Sequence, residues 1–352
     1  MTTSPHHAIE KRTPLPLLSG NSAAAKVVSL VPSVSHRKSA ARLPLVRLGR
    51  AGASVVADTD ALTASNEYVE AELTKRLKSI EDCVSADVIV CIHPIMEPFD
   101  DIIRNSIEDV PKKKDDLLVI LETDGGSIEI TERIADVFRH HYSGEVSFLV
   151  PNRAMSAGTI LVMSGDRIFM DYYSVLGPID PQIRGRDGYV PGLGYLEKYK
   201  QLIAKSGRRG GLTQAELAFL LDKFDPAQLH RLEQAREHSV DLLKKWLVEY
   251  KFKNWNRTKT QGRKVTLKMK TDRAKEIAKK LNDTRLWRSH GRGISIDVVK
   301  NTLNLVVDDF GSEPELAGLN KYFRNYYRLL QDYMERRSQS FVVHTHSSFL
   351  AY

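Results

Sequence analysis

"DLLVILETDGGSIEITERIADVFRHHYSGEVSFLVP", residues 116–151, holds two apolar runs with an amphipathic stretch between them. The runs Leu117–Leu121 and Val146–Val150 lack sustained polar alternation, which is the pattern of strands buried on both faces. Residues 127–141 carry helical spacing instead. A strand, a helix and a second strand in this order form a parallel pair closed by a right-handed crossover. The same alternation extends outward. "NEYVEAELTKRLKSIEDCV" (66–84) places Val69, Leu73, Leu77 and Ile80 on one helical face; "DVIVCIHP" (87–94) is a strand and 99–110 a helix. "DRIFMD" (166–171) is a short fourth strand. The expected fold class is α/β, a mostly parallel sheet with flanking helices. After Ile183 the pattern turns helical, over 194–205, 213–223, 226–250 and 271–282, so a helical C-terminal part is expected. In parallel sheets ligands collect beyond the carboxyl ends of the strands, where both "TDGGS" and "NRAMS" fall.

The 352 residues carry a net charge of +8, unevenly spread. Residues 1–57 hold eight Lys/Arg against one acid, and 244–280 hold fourteen against three. The rest is acidic, so the charge is segregated rather than general. Residues 1–65, rich in Ser, Ala, Pro and Arg, read as a disordered basic tail, with a transit peptide as the alternative of like composition. Residues 66–352 read as one domain containing a basic excursion at 251–270, expected as a loop or short hairpin. No run is long and apolar enough to span a bilayer, so no integral membrane segment is expected. Cys83 and Cys91 read as buried small hydrophobes of a reducing cytoplasm.

"PNRAMSAGTILVMSGD" (151–166) follows the third strand and clusters small residues around Ser156. A serine where a strand turns into a helix sits in the positive field of the helix end, with the Ala157 N–H beside it. Ala154, Ala157 and Gly158 leave room for a substrate backbone; helix capping or close packing is the plainer account. Gly125 and Gly126 end the second strand. Their N–H groups suit a developing oxyanion, and a tight turn is again the plainer account. "DGGSIE" is neither a dinucleotide fingerprint nor a phosphate loop. No histidine combines with acids at metal-ligand spacing, so neither metal nor cofactor is expected.

"ETDGGS" (122–127) followed by "VPNRAMSAGTILVMSGDRIFMDYYSVLGPIDPQI" (150–183) resembles the Clp/crotonase superfamily of serine peptidases, most closely the serine dehydrogenase proteinase family. The resemblance returns at "LWRSHGRGISIDVVKNTLNLVVDDF" (286–310). It implies a Clp/crotonase-like fold and a peptidase with Ser156 as nucleophile. The oxyanion donors would be Gly126 (or Gly125) and Ala157. In Clp-type enzymes a histidine follows the serine and an acid precedes the final helix. Here the first place holds Asp180 and the second His290, so the two types are exchanged along the chain. The implied base is His290, oriented by Asp180; as plainer readings both are turn residues. Signal-peptide peptidase A uses a lysine base, which makes Lys198 and Lys200 the alternative, provided that they are desolvated.

The leading expectation is therefore a cytoplasmic serine peptidase acting on peptides or unfolded protein by an acyl-enzyme route. The resemblance also implies a homo-oligomer. One alternative is a non-hydrolytic scaffold of the same fold that binds a peptide or partner; another is a crotonase-type acyl-CoA enzyme. Residues 244–280, with Trp246 and Trp255, offer a surface for an anionic partner such as nucleic acid, or simply a solvated charged face. A Walker motif is absent, so an unfolding ATPase would be another chain.

Overall fold

The computed structural model describes residues 55–185 and 188–352. It opens with α1 (Val55–Val84), β1 (Asp87–Ile92), α2 (Phe99–Glu108), β2 (Leu117–Glu122), α3 (Ile128–His141) and β3 (Val146–Leu149). Next come β4 (Arg153–Ala154), α4 (Ala157–Val162), β5 (Arg167–Met170) and β6 (Val175–Leu176), then the hairpin β7 (Gln182–Gly185) and β8 (Gly188–Pro191). A helical stretch follows: α5 (Gly192–Ser206), α6 (Gln214–Lys223), α7 (Pro226–Trp246), a π turn over 247–251, α8 (Leu267–Leu281) and α9 (Thr284–Trp287). The last elements are β9 (Ile294–Ser295), α10 (Ile296–Asn301), β10 (Asp308–Asp309), α11 (Ala317–Arg337), β11 (Val342–His344) and β12 (Phe349–Ala351).

Seven strands form the main sheet, in the order β10-β5-β3-β2-β1-β11-β12. Those from β10 to β1 are parallel, while β11 and β12 add antiparallel strands at the β1 edge. The apolar runs lack alternation because helices cover both faces. Ile89, Cys91, Val119, Leu121, Phe148 and Ile168 face one layer, which includes Ile134, Ile160, Trp246 and Ile277. Val88, Val90, Leu118, Ile120 and Phe169 face the other, formed by Leu73 and Leu77 of α1 with Phe323, Tyr326 and Leu330 of α11. Each face removes a continuous apolar surface from water.

Several boundaries move. Of the expected tail, residues 1–54 lie outside the described residues, whereas 55–65 begin α1. No Gly or Pro interrupts 55–84, so nothing stops the helix there. The last four residues of the basic excursion belong to α8, whose N-terminus is capped by the Thr266 hydroxyl accepting Met269 N–H. The remainder is a hairpin-like loop with an antiparallel bridge between Arg257 and Lys264. Trp246 is not a surface residue but 1% exposed in the core, and Trp255 packs partly against that core. Cys91 is buried as expected; Cys83 lies off the buried face of α1 and is exposed. No helix among the described residues is long and apolar enough to cross a membrane.

His344, in β11 between β1 and β12, ties α1 and α11 to the sheet. Its Nδ1 pairs with the Tyr326 hydroxyl at 2.8 Å and its Nε2 with Thr74 Oγ1 at 3.2 Å. Burial pushes its pKa down to about 3. The unfolded chain therefore takes up a proton that the fold refuses, and stability is complete above the ordinary histidine range and lost as pH falls below it. Urea unfolding at pH 7, 6 and 5 is expected to show a loss approaching about 1.4 kcal/mol per pH unit from this group. His344→Gln removes that slope.

Candidate active site

The site is built where the main sheet continues into a second, smaller one. Beyond β2, Thr123 bridges Ala154 in parallel, donating its N–H to Arg153 O at 2.9 Å and accepting Met155 N–H at 3.0 Å. From there β4 pairs with β6 in parallel, and β6 with β9 antiparallel. The register aligns Ala154, Leu176 and Ile294. The chain leaves β4 and β6 at one end and enters β9 from that same end. Ser156, two residues past Ala154, Asp180, four past Leu176, and His290, four before Ile294, are thus delivered to one edge. Gly125 and Gly126 follow Thr123 to that edge as well.

Ser156 has φ +52° and ψ −118°, a conformation that L-residues rarely adopt. Such strain persists only where the surroundings impose it and clusters at functional sites. It is also the signature of a nucleophile carried on a sharp strand-to-helix turn. The small neighbours are explained by contact. A Cβ on Gly158 would lie 2.3 Å from Thr123 Cγ2, and one on Gly125 would lie 2.8 Å from Ser156 Cβ. Thr159 holds the helix to the next strand, its hydroxyl 2.8 Å from Ala154 O and 2.9 Å from Gly177 O while accepting Gly177 N–H at 2.8 Å.

Gly125 and Gly126 have φ of +97° and +153°. Ile95 runs beside them, donating to Gly125 O and accepting from Ser127 N–H. Gly125 N–H turns inward to the Thr123 hydroxyl. The N–H groups of Gly126 and Ala157 donate to nothing among the described residues. Between the two glycines, Gly126 thus keeps the free donor.

Asp180 and His290, 110 residues apart, meet: His290 Nδ1 lies 2.9 Å from Asp180 Oδ1. Both side chains are largely buried. A carboxylate only accepts, so Nδ1 carries the hydrogen, and in the neutral form of the ring Nε2 carries the lone pair. Asp180 Oδ2 is buried and has no partner among the described residues. Ser156 Oγ makes no hydrogen bond among the described residues, so the serine–histidine bond is not formed in this conformation. Such bonds often tighten only around substrate. Lys198 and Lys200 are exposed, and Lys200 pairs with Glu233 at 3.5 Å. Neither has the desolvation that a neutral lysine requires.

Charged groups flank the glycines. Arg153 clasps Asp124 through Nε at 2.5 Å and reaches Glu122 at 3.4 Å; its hydrogen bond holds the Asp124 carboxyl below the usual range. At the opposite end of β1, Glu81, Asp87 and His346 lie at metal-ligand spacing, a grouping not anticipated from sequence because His346 is 265 residues from Glu81. Each already has partners: His346 Nδ1 is 2.9 Å from Glu81, and Asp87 accepts Lys114 N–H and the Tyr142 hydroxyl. Within the basic segment, Lys251 is half-buried, its pKa lowered to about 8 by desolvation, and Lys253 pairs with Asp166.

Comparison with known proteins places this geometry in context. A family model described as ClpP-like SDH-type serine proteinase matches residues 89–266, half of the chain. The match contains both glycines, Ser156 and Asp180, and ends before His290. Two uncharacterized proteins of Methanocaldococcus jannaschii are similar. One is 31% identical over 160 residues, 46% of this chain and 48% of the relative. The other is 30% identical over 168 residues, 48% and 53%. The chain spans about half the length of these curated relatives.

Gly126→Ala would force a Cβ to 2.0 Å from Ile95 O at a backbone angle that disfavours it. The variant is expected to lose about 1–3 kcal/mol or more. Gly207→Ala, with nothing within 4 Å, is expected to change little. Thermal unfolding of both variants checks this.

Proposed function

The chain belongs to the ClpP-like SDH-type serine proteinase family, and from that membership we propose that it is a serine peptidase using Ser156, His290 and Asp180. The observation that carries the reading is the Asp180–His290 pair, brought to the same edge of the β4–β6–β9 sheet as the strained Ser156. Their order along the chain, serine then acid then histidine, is no obstacle, since such triads are recognised by role and geometry.

In this mechanism His290 Nε2 takes the proton from Ser156 Oγ as the oxygen attacks the scissile carbonyl. Asp180, on Nδ1–H, fixes the tautomer and stabilises the imidazolium. The carbonyl oxygen becomes an oxyanion between the free N–H groups of Gly126 and Ala157. Each such donor contributes about 2.7–4 kcal/mol to transition-state binding. His290 then passes its proton to the leaving amine, and water repeats the sequence in reverse to release the acyl group. The route needs no metal or cofactor. Peptides or unfolded protein segments are the proposed substrate, a homo-oligomer the proposed working form and the cytoplasm the proposed place.

The test is labelling of purified protein with a fluorophosphonate probe. Wild type is expected to label at Ser156, and folded Ser156→Ala to lose the label entirely. His290→Ala and Asp180→Asn are expected to slow labelling about 10³-fold or more. A folded wild type that never labels between pH 6 and 9 would leave the non-hydrolytic, partner-binding reading in its place.

A further inference from the structure

The free donor of Gly126 is aimed by a residue outside β2, and that residue is itself held from a distance. Ile95 N–H donates to Gly125 O at 2.9 Å, and Ile95 O accepts Ser127 N–H at 2.7 Å. One residue thus fixes the peptide planes on both sides of Gly126, which packs so closely against Ile95 that no side chain fits.

Two residues before Ile95 stands His93, 6% exposed at the end of β1. Its Nδ1 lies 2.5 Å from Pro94 O, and its Nε2 lies 2.8 Å from the Tyr352 hydroxyl. Pro94 O only accepts, so Nδ1 carries the hydrogen. In a neutral ring Nε2 then accepts from Tyr352. Burial, which lowers the His93 pKa, favours that neutral ring. The ring is stacked on Phe99 at 4.5 Å and 7° and meets Phe341 at 4.7 Å. Its remaining freedom is the in-plane tilt that the Tyr352 hydroxyl fixes.

Tyr352 sits at the end of β12, an edge strand of three residues. Its backbone exchanges hydrogen bonds with Phe341, and about half of its surface is exposed. A half-exposed phenol thereby anchors a buried imidazole.

We propose that Tyr352 is a positioning residue: by holding His93 it keeps Ile95 against the glycine turn, and so sets the direction of Gly126 N–H. The catalytic consequence rests on the peptidase reading above; the mechanical linkage does not. A competing view makes β11 and β12 no more than the finish of a sheet edge. Gln339→Ala separates the two, since Gln339 Nε2 anchors the same strand at Ala351 O without touching His93.

The experiment compares full-length wild type, Tyr352→Phe and Gln339→Ala by amide hydrogen exchange and by the rate of fluorophosphonate labelling. Tyr352→Phe keeps the ring and removes one hydroxyl. It is expected to speed exchange at Ile95 and Ser127 about tenfold, leave Val119 and Leu121 unchanged, and slow labelling about tenfold. Gln339→Ala is expected to do neither. Wild-type protection at Ile95 and Ser127 in Tyr352→Phe, or the same change in Gln339→Ala, overturns the proposal. Faster exchange with an unchanged labelling rate overturns the catalytic positioning. Faster exchange in a protein whose wild type never labels supports the linkage and removes the peptidase reading.

Discussion

Two hydrogen bonds, Thr123 N–H to Arg153 O and Met155 N–H to Thr123 O, set the plan of the molecule. They take the chain leaving β3 and lay it against the extension of β2, so a second sheet begins where the first ends. Had the chain continued straight on, Ser156 would stand apart from the glycines. Instead Gly125 lies against the serine's own Cβ, with space for no side chain between them. The positive φ of Ser156 follows from the same weld, because the chain must turn into α4 within two residues of a paired strand.

The polar arrangement is correspondingly uneven. Buried backbone donors almost always find acceptors, and around this edge most do. Thr123, Ile95 and Thr159 absorb the neighbouring amides and carbonyls. The amides of Gly126 and Ala157 have no acceptor among the described residues. On the opposite side, a buried carboxylate gives one oxygen to His290 and keeps the other without a partner among the described residues. The edge thus offers free donors on one side and a lone-pair nitrogen on the other, which suits a reaction that moves a proton away from where negative charge appears.

Much of the fold was legible because parallel strands buried on both faces lose their alternation, as Leu117–Leu121 does. The turn that carries Ser156 was legible from its small residues, although its backbone strain was not. Asp180 and His290 came from the family resemblance alone; spacing could not join residues 110 apart, and β6 and β9 are only two residues each. The hairpin β11–β12 escaped because three-residue strands leave no periodic trace. The helix α11 did leave one, in Leu319, Phe323, Tyr326, Leu330 and Tyr333, all buried on one face. His93 carries no sequence signal; its meaning comes from its partners.

The distance between Asp180 and His290 along the chain also has a meaning in time. A polypeptide is made from its first residue onward, so the serine, its glycines and the acid all exist well before the histidine. The helices α5–α8 are synthesised in between, and Ile179 N–H closes that long loop on Leu281 O. Non-local closures of this kind come late in folding. On the proposed mechanism, a nascent chain carries a nucleophile without its base. Hydrolytic competence then arrives only once the intervening helices have folded and their two ends have met, so the growing chain is spared its own chemistry until that closure.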